Sequence, residues 1–242
     1  MLSATKILKI WEVGQSQLPA ERALALLSVC CPDTTRGELE QMNIGKRDAL
    51  LLAFRERLFG PHFSGLAKCP ECNSDLEIGF HSSEVRTAVP PETTGPFEFT
   101  FGDFVFTCRR PNSADLIAVI RQVKSSAVSN ALFARCLLEK RQEGREVASN
   151  SLPGEVVEAI VNEMARRDPQ ADIRFALSCP DCAHQWEAIF DIVSFVWNEI
   201  SAWAGRLMRQ VHTLALAYGW RESDILAMSS WRRQAYLEML GE

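Results

Sequence analysis

Apolar residues recur at helical spacing over residues 5–59. Pro19 opens a helix carrying Ala23, Leu24, Leu26, Leu27 and Val29, which stops at Cys31-Pro32; proline suits a first helical turn and cannot continue a helix. A second helix is predicted over 35–41. A third, over 45–59, gathers Leu50, Leu51, Phe54 and Leu58 on one face with Arg47, Arg55 and Arg57 elsewhere, and Gly60-Pro61 ends it. Residues 89–96 read as a loop rich in Pro, Thr and Gly. Alternation then takes over. Phe97, Phe99 and Phe101 precede Gly102-Asp103, and Phe104 and Phe106 follow it, the pattern of a β-hairpin. Ser113 is expected to cap a helix that continues to about residue 140, broken near Ser125-Ser126. Residues 142–146 read as a solvated turn, and 155–166 as a helix opened by Pro153 and ended by Asp168-Pro169. Residues 173–177 read as a strand.

The last sixty residues change period. Phe190, Val193, Trp197, Ile200, Ala204, Leu207, Val211, Leu214 and Tyr218 recur at alternating spacings of three and four. That is an unbroken heptad stripe on a helix of about 40 Å, at about 1.5 Å per residue. Gly219 is placed to end it. Two short helices are expected after it, 224–228 and 231–240, with Ser223 and Ser229 or Ser230 as N-caps. The stripe packs either on the chain's own helices or on a partner. Trp203 widens the apolar face, and the arginines Arg206, Arg209, Arg221, Arg232 and Arg233 are expected on the solvated side.

Two Cys-Pro-acidic-Cys knuckles carry the chemistry: Cys69-Pro70-Glu71-Cys72 and Cys179-Pro180-Asp181-Cys182. They head a gapless repeat, residues 69–80 against 179–190, in which Leu76 or Trp186 is followed by Glu and ends at Phe80 or Phe190. Two thiolates on a tight turn reach one metal ion, and two such turns complete a tetrahedral shell. The expectation is one Zn²⁺ held by Cys69, Cys72, Cys179 and Cys182, the two halves of a split zinc ribbon. More than a hundred residues separate the knuckles, against about 15–20 in a compact ribbon. The intervening segment must therefore fold as an insertion whose ends return to one point, which loop-closure entropy tolerates. The competing readings are two unlinked turns with reduced thiols, a redox pair, and a site in which His184 replaces a thiolate. A four-thiolate shell has no open position, so it staples a fold rather than catalysing. Cys30, Cys31, Cys108 and Cys136 are expected as small buried hydrophobes.

Composition narrows the classes. The chain has 242 residues, 47% hydrophobic and 24% charged, ordinary for a globular protein. No signal peptide is expected from Met1-Leu2-Ser3-Ala4-Thr5-Lys6, and no uncharged apolar run of about 18 residues predicts a membrane span. Eight cysteines then point to reduced thiols in a cytoplasm. A net charge of -5 and a pI near 5.5 argue against a nucleic-acid-coating protein. There is no Gly-rich phosphate loop, His-Glu-x-x-His or Gly-x-Ser-x-Gly, so no catalytic residues are assigned and no small-molecule substrate is expected.

The tail Arg209-Gln-Val-His212 … Tyr218-Gly219-Trp220 … Ile225-Leu226 … Arg232-Arg233-Gln-Ala-Tyr236-Leu237 resembles the T-even-type phage baseplate hub assembly chaperones and their relatives in contractile injection systems. Arg109-Arg110-Pro111-Asn112-Ser113-Ala114-Asp115-Leu116, Lys46-Arg47-Asp48-Ala49-Leu50 and the paired knuckles also look like the injection-system relatives. The resemblance implies a non-enzymatic assembly factor or minor baseplate component that binds a hub or spike protein through its C-terminal helical region. It implies Trp197, Trp203, Leu207, Tyr218 and Trp220 as partner-binding anchors, since aromatic residues carry much interface energy. The expected setting is the cytoplasm or the phage or tail-like particle itself. The rival reading is a zinc-ribbon protein that binds nucleic acid or polymerase.

The expected architecture is α+β and predominantly helical. An N-terminal helical region spans 1–60, the first knuckle and loop 61–96, an inserted hairpin-plus-helices module 97–172, the second knuckle 173–190, and the long helix with two short ones 191–242.

Overall fold

The helical spacing of the first sixty residues resolves into four helices in a computed structural model that describes residues 3–87, 95–122, 128–142, 145–146 and 153–241. They are α1 (Ala4–Gly14), α2 (Pro19–Cys30), α3 (Arg36–Gln41) and α4 (Ile44–Phe59). Ser3 caps α1 by accepting from the Lys6 amide at 3.3 Å, and Thr35 with Glu38 forms a reciprocal capping box on α3. Gly60, at φ 88°, ends α4 in a conformation that costs other residues strain.

Two hairpins carry the cysteine knuckles at their turns. β1 (His62–Lys68) pairs antiparallel with β2 (Asp75–His81), and β7 (Arg174–Ser178) pairs with β8 (Gln185–Ile189). Between them in the chain, β3 (Phe97–Phe101), β4 (Phe104–Cys108), β5 (Leu137–Gln142) and β6 (Arg145–Glu146) form one antiparallel sheet in that order. The helices α5 (Ser113–Gln122), α6 (Val128–Cys136) and α7 (Gly154–Arg167) complete the inserted segment. The chain ends with α8 (Ile192–Tyr218), α9 (Glu222–Ala227) and α10 (Ser230–Glu238). The fold is mixed α and β with a long C-terminal helix, as the pattern predicts. None of the described helices is long and apolar enough to cross a membrane.

The main core joins α2, α4 and the front half of α8: Leu24, Leu27, Leu51, Leu52, Val196 and Ile200 are fully buried. A second cluster, Phe106, Cys108, Cys136, Val156, Ile160 and Met164, lies within the insertion. The stretch that follows the first hairpin and the stretch that precedes the second meet at one buried glutamine. The Gln170 side chain accepts from the Thr87 amide at 2.8 Å and donates to the Val85 carbonyl at 3.1 Å. The insertion also completes α4, whose Asn43 makes no side-chain cap. The Ile44 amide donates to the Pro111 carbonyl at 3.2 Å, and the Gly45 amide to Asp168 Oδ2 at 3.0 Å. A carboxylate at a helix N-terminus satisfies an orphan donor and opposes the helix dipole. A Cβ at Gly45 would sit 1.9 Å from Asp168 Oδ1, so only glycine permits this approach.

Several local expectations are corrected. Asn112, not Ser113, caps α5: its Oδ1 accepts from the Asp115 amide at 3.0 Å while Asp115 accepts from the Asn112 amide. Arg221 rather than Ser223 precedes α9, while Ser229 does cap α10. Residues 137–140 form a strand rather than helix, because β4 offers an unpaired edge and long-range pairing overrides helical propensity. Residues 142–146 belong partly to the β5–β6 pair, where Gln142 faces Arg145; residues 143–144, the Ser125-Ser126 break and most of the 89–96 loop lie outside the described residues. Arg47 and Arg55, placed off the apolar face of α4, are buried to 5% and 4% exposure. Both are retained by partners: Arg47 Nε donates to Asp48 Oδ1 at 2.7 Å, and Arg55 bridges three elements.

Candidate metal centre

Each knuckle is the turn of a hairpin, and the two turns are alike. The Cys69 amide donates to the Ser74 carbonyl at 2.9 Å and the Asn73 amide to the Cys69 carbonyl at 3.0 Å. In the second copy the Cys179 amide donates to the His184 carbonyl and the Ala183 amide to the Cys179 carbonyl, both at 2.9 Å. Asn73 and Ala183 adopt left-handed backbone at φ 62° and 59°. This conformation is uncommon outside glycine, and both copies place it one residue after the second cysteine.

The turns face each other. Cys69 Sγ lies 3.7 Å from Cys182 Sγ, and Cys72 Sγ lies 3.5 Å from Cys179 Sγ. All four sulfurs fall within 4.8 Å of one another. A tetrahedral ion with bonds of about 2.3 Å would have sulfur–sulfur edges of about 3.8 Å, which the cluster fits. Cys69 and Cys179 are buried, while Cys72 and Cys182 lie at the surface. Four sulfurs this close compete for protons. Hydrogen bonding with the Ser74 side chain and backbone draws the Cys72 thiol down to about 6. At Cys182 the His184 backbone hydrogen bond pulls the same way, but desolvation and proton sharing with the other three sulfurs outweigh it, pushing the thiol up to about 12. A divalent cation relieves this competition by displacing the protons. These four residues can hold one metal ion, and they saturate its shell.

Aromatic rings carry the site to the rest of the chain. Phe80 lies 4.8 Å from Phe175 and 5.2 Å from Phe190, joining the two hairpins, and Phe63 stacks on Phe80 at 4.9 Å. Phe195 of α8 meets Phe63 at 5.2 Å and Phe190 at 5.6 Å. Arg55 locks the joint. Its guanidinium lies 3.8 Å over the Phe63 ring, donates to the Gly60 and His62 carbonyls at 2.6 Å each, and pairs with both carboxylate oxygens of Glu199 on α8. Asp191 starts α8 directly after the second hairpin by accepting from the Val193 amide at 3.0 Å.

The remaining sulfur and imidazole groups stay out of the cluster. Burial pushes the thiols of Cys30, Cys108 and Cys136 up to about 12, 11 and 12, so they remain neutral. His184 stacks on Trp186, with ring centroids 6.0 Å apart.

The residues expected at a partner interface divide. Trp197 is 6% exposed and Leu207 3%. Trp197 packs closely against Gly14 of α1, under the Arg22 guanidinium at 4.6 Å; Leu207 packs with Leu8 and Ala204. Both therefore face the chain's own helices, a correction to their expected direct contact with a partner. Trp203, Tyr218 and Trp220 are half-buried. Tyr218 stacks on Trp220 at 4.4 Å, and Trp220 meets Tyr236 of α10 edge-on at 4.8 Å. Sequence reading missed β1, whose alternation is weak, and Arg55, whose charge hid a buried role.

A family model described as T4 bacteriophage base plate protein matches residues 15–197. No curated protein and no solved structure matches the chain. The matched residues take in both knuckles, residues 46–50 and 109–116 and the front of α8, and stop before the 209–237 tail on which the resemblance is also drawn.

Proposed function

We propose that this chain, which belongs to the family of T4 bacteriophage base plate proteins, is a non-enzymatic, zinc-binding assembly factor or minor baseplate component of a contractile phage tail or tail-like injection particle. It binds a hub or spike protein through the C-terminal helical region, first in the cytoplasm and then in the growing particle. The observation that carries this reading is the family match running through both halves of a four-thiolate centre. Thiolate ligands and a closed tetrahedral shell favour zinc over oxygen-seeking cations such as magnesium or calcium. Held at the two hairpin turns, the ion fixes segments more than a hundred residues apart, and the Phe and Arg55 contacts pass that rigidity to the start of α8. The helix then presents its far end in a defined orientation, which lowers the ordering cost of binding.

The test is affinity capture of the tagged chain from cells producing the particle, with mass spectrometry of the eluate and of purified particles. Hub or spike proteins in the eluate support the proposal, and presence in the particle separates component from assembly factor. An eluate of polymerase subunits or nucleic acid overturns it.

A further inference from the structure

The charge pattern of the chain changes near the end of the family match. Among the described residues, ion pairs run from Glu21 to Glu199 and none includes a residue beyond it. Arginines before that point mostly meet carboxylates: Arg36, Arg47, Arg55, Arg86, Arg109, Arg121, Arg135, Arg141, Arg166, Arg167 and Arg174 all do. Arg206 and Arg209, exposed one turn apart on α8, meet none. Beside them runs a cleft of about 430 Å³ between α8 and α10, lined by Arg206, Arg209, Gln210, His212, Thr213 and Leu237. A third guanidinium, behind the lining, bonds to the cleft's Gln210. Arg233 is 4% exposed and, among the described residues, donates to neutral acceptors, Gln210 Oε1 at 3.3 Å and the Met228 carbonyl at 2.6 Å. A buried cation without an opposite charge leaves a positive potential directed at whatever enters.

Apolar side chains are exposed on α8 and just after α10: Leu216 at 79%, and Met239 at 73% and Leu240 at 39%. We propose that this cleft is the partner-docking surface of the C-terminal region, and that its occupant is an acidic amphipathic segment of a partner protein. Carboxylates of that segment pair with Arg206 and Arg209, planar forks suited to bidentate contact. Its apolar face covers the exposed leucine and methionine side chains. Nucleic acid fits less well, because the chain as a whole carries -5 and would repel a long polyanion beyond the cleft. The inference rests on the partner role proposed above and names the surface and the chemistry that role uses.

The probes are a fluorescein-labelled helical peptide of alternating Glu and Leu faces, its Lys-for-Glu counterpart, and a labelled single-stranded oligonucleotide of equal negative charge, each titrated with the full chain at about 50 and 150 mM salt. The acidic peptide should bind, weakening as salt rises, while the basic peptide should not. Arg206→Glu with Arg209→Glu should weaken binding at least about tenfold, and the milder Arg206→Gln with Arg209→Gln by a smaller factor in the same direction. Lys6→Glu with Lys9→Glu, the same change in net charge on α1, should leave affinity within about twofold. Equal loss in both charge-reversed pairs, or tighter binding of the oligonucleotide, would overturn the cleft. If charge-reversed protein still captures hub or spike proteins, the cleft falls and the baseplate role stands. If peptide binds but no baseplate protein is captured, the reverse holds.

Discussion

The two halves of α8 share one apolar stripe and have opposite surroundings. In the front half, Val193, Val196 and Ile200 sit in the main core beside the hairpins, and Glu199 is held by Arg55. In the back half, the stripe is covered by only small elements: Leu207 by α1, and Leu214 by Ile225 and Leu237 of the two short helices. The opposite face there carries arginines that meet no carboxylate. A heptad periodicity thus says which face of a helix is apolar and says nothing of what lies across from it. Here the chain supplies its own cover, so partner binding must use the other face or the ends.

The largest effect expected concerns the front half. Cys179→Ser should release the metal and cost about 4 kcal/mol or more, lowering Tm by about 10 °C or more in a thermal melt. Cys30→Ser, outside the cluster, should leave metal content unchanged. Trp197→Ala should cost about 3–5 kcal/mol in denaturant unfolding, because it empties the space over Gly14 and removes the ring beneath Arg22. By contrast, Arg206→Glu in the back half should change stability by no more than about 0.5 kcal/mol. Equal costs in the two halves would erase the contrast.

Gly45→Ala sharpens the comparison at the other end of the core. Alanine normally favours a helix over glycine by up to about 1 kcal/mol. Here its Cβ would strike Asp168, so destabilisation by about 1–3 kcal/mol is expected, and the opposite sign would show that the insertion does not dock on α4. The smallest effect is a pH dependence. Burial raises the Asp48 carboxyl from 3.8 to about 6, with Arg47 opposing the shift and Asp191 and Asp168 adding to it. A carboxyl raised in the fold binds its proton more tightly there than in the unfolded chain. Its contribution is therefore fully present below about pH 4 and lost as pH rises through about 6. Asp48→Asn should flatten the Tm profile between those values; an unchanged slope would assign it to other groups.

Much of the fold was legible in local chemistry. Pro19, Gly60, Gly102 and Gly219 mark ends and turns that the structure keeps, and the Phe97–Phe106 alternation is the hairpin it predicts. The four cysteines were legible because a repeated knuckle has few structural meanings, and the structure brings their sulfurs within 4.8 Å. What escaped depends on distant partners. Residues 137–140 are strand only because β4 lies beside them, and Asp168 reads as a helix stop until Gly45 is seen across from it. Trp197 looked like an anchor for another protein because a sequence does not reveal that Gly14 makes room for it.

The most direct test of the central claim is metal analysis of the purified chain with X-ray absorption at the zinc edge. One zinc per chain, surrounded by four sulfurs at about 2.3 Å, is the predicted result, with the metal lost in Cys69→Ser and Cys179→Ser alike. A chain that folds with no metal, or that keeps its zinc after loss of either knuckle, would contradict a shared ion joining the two halves.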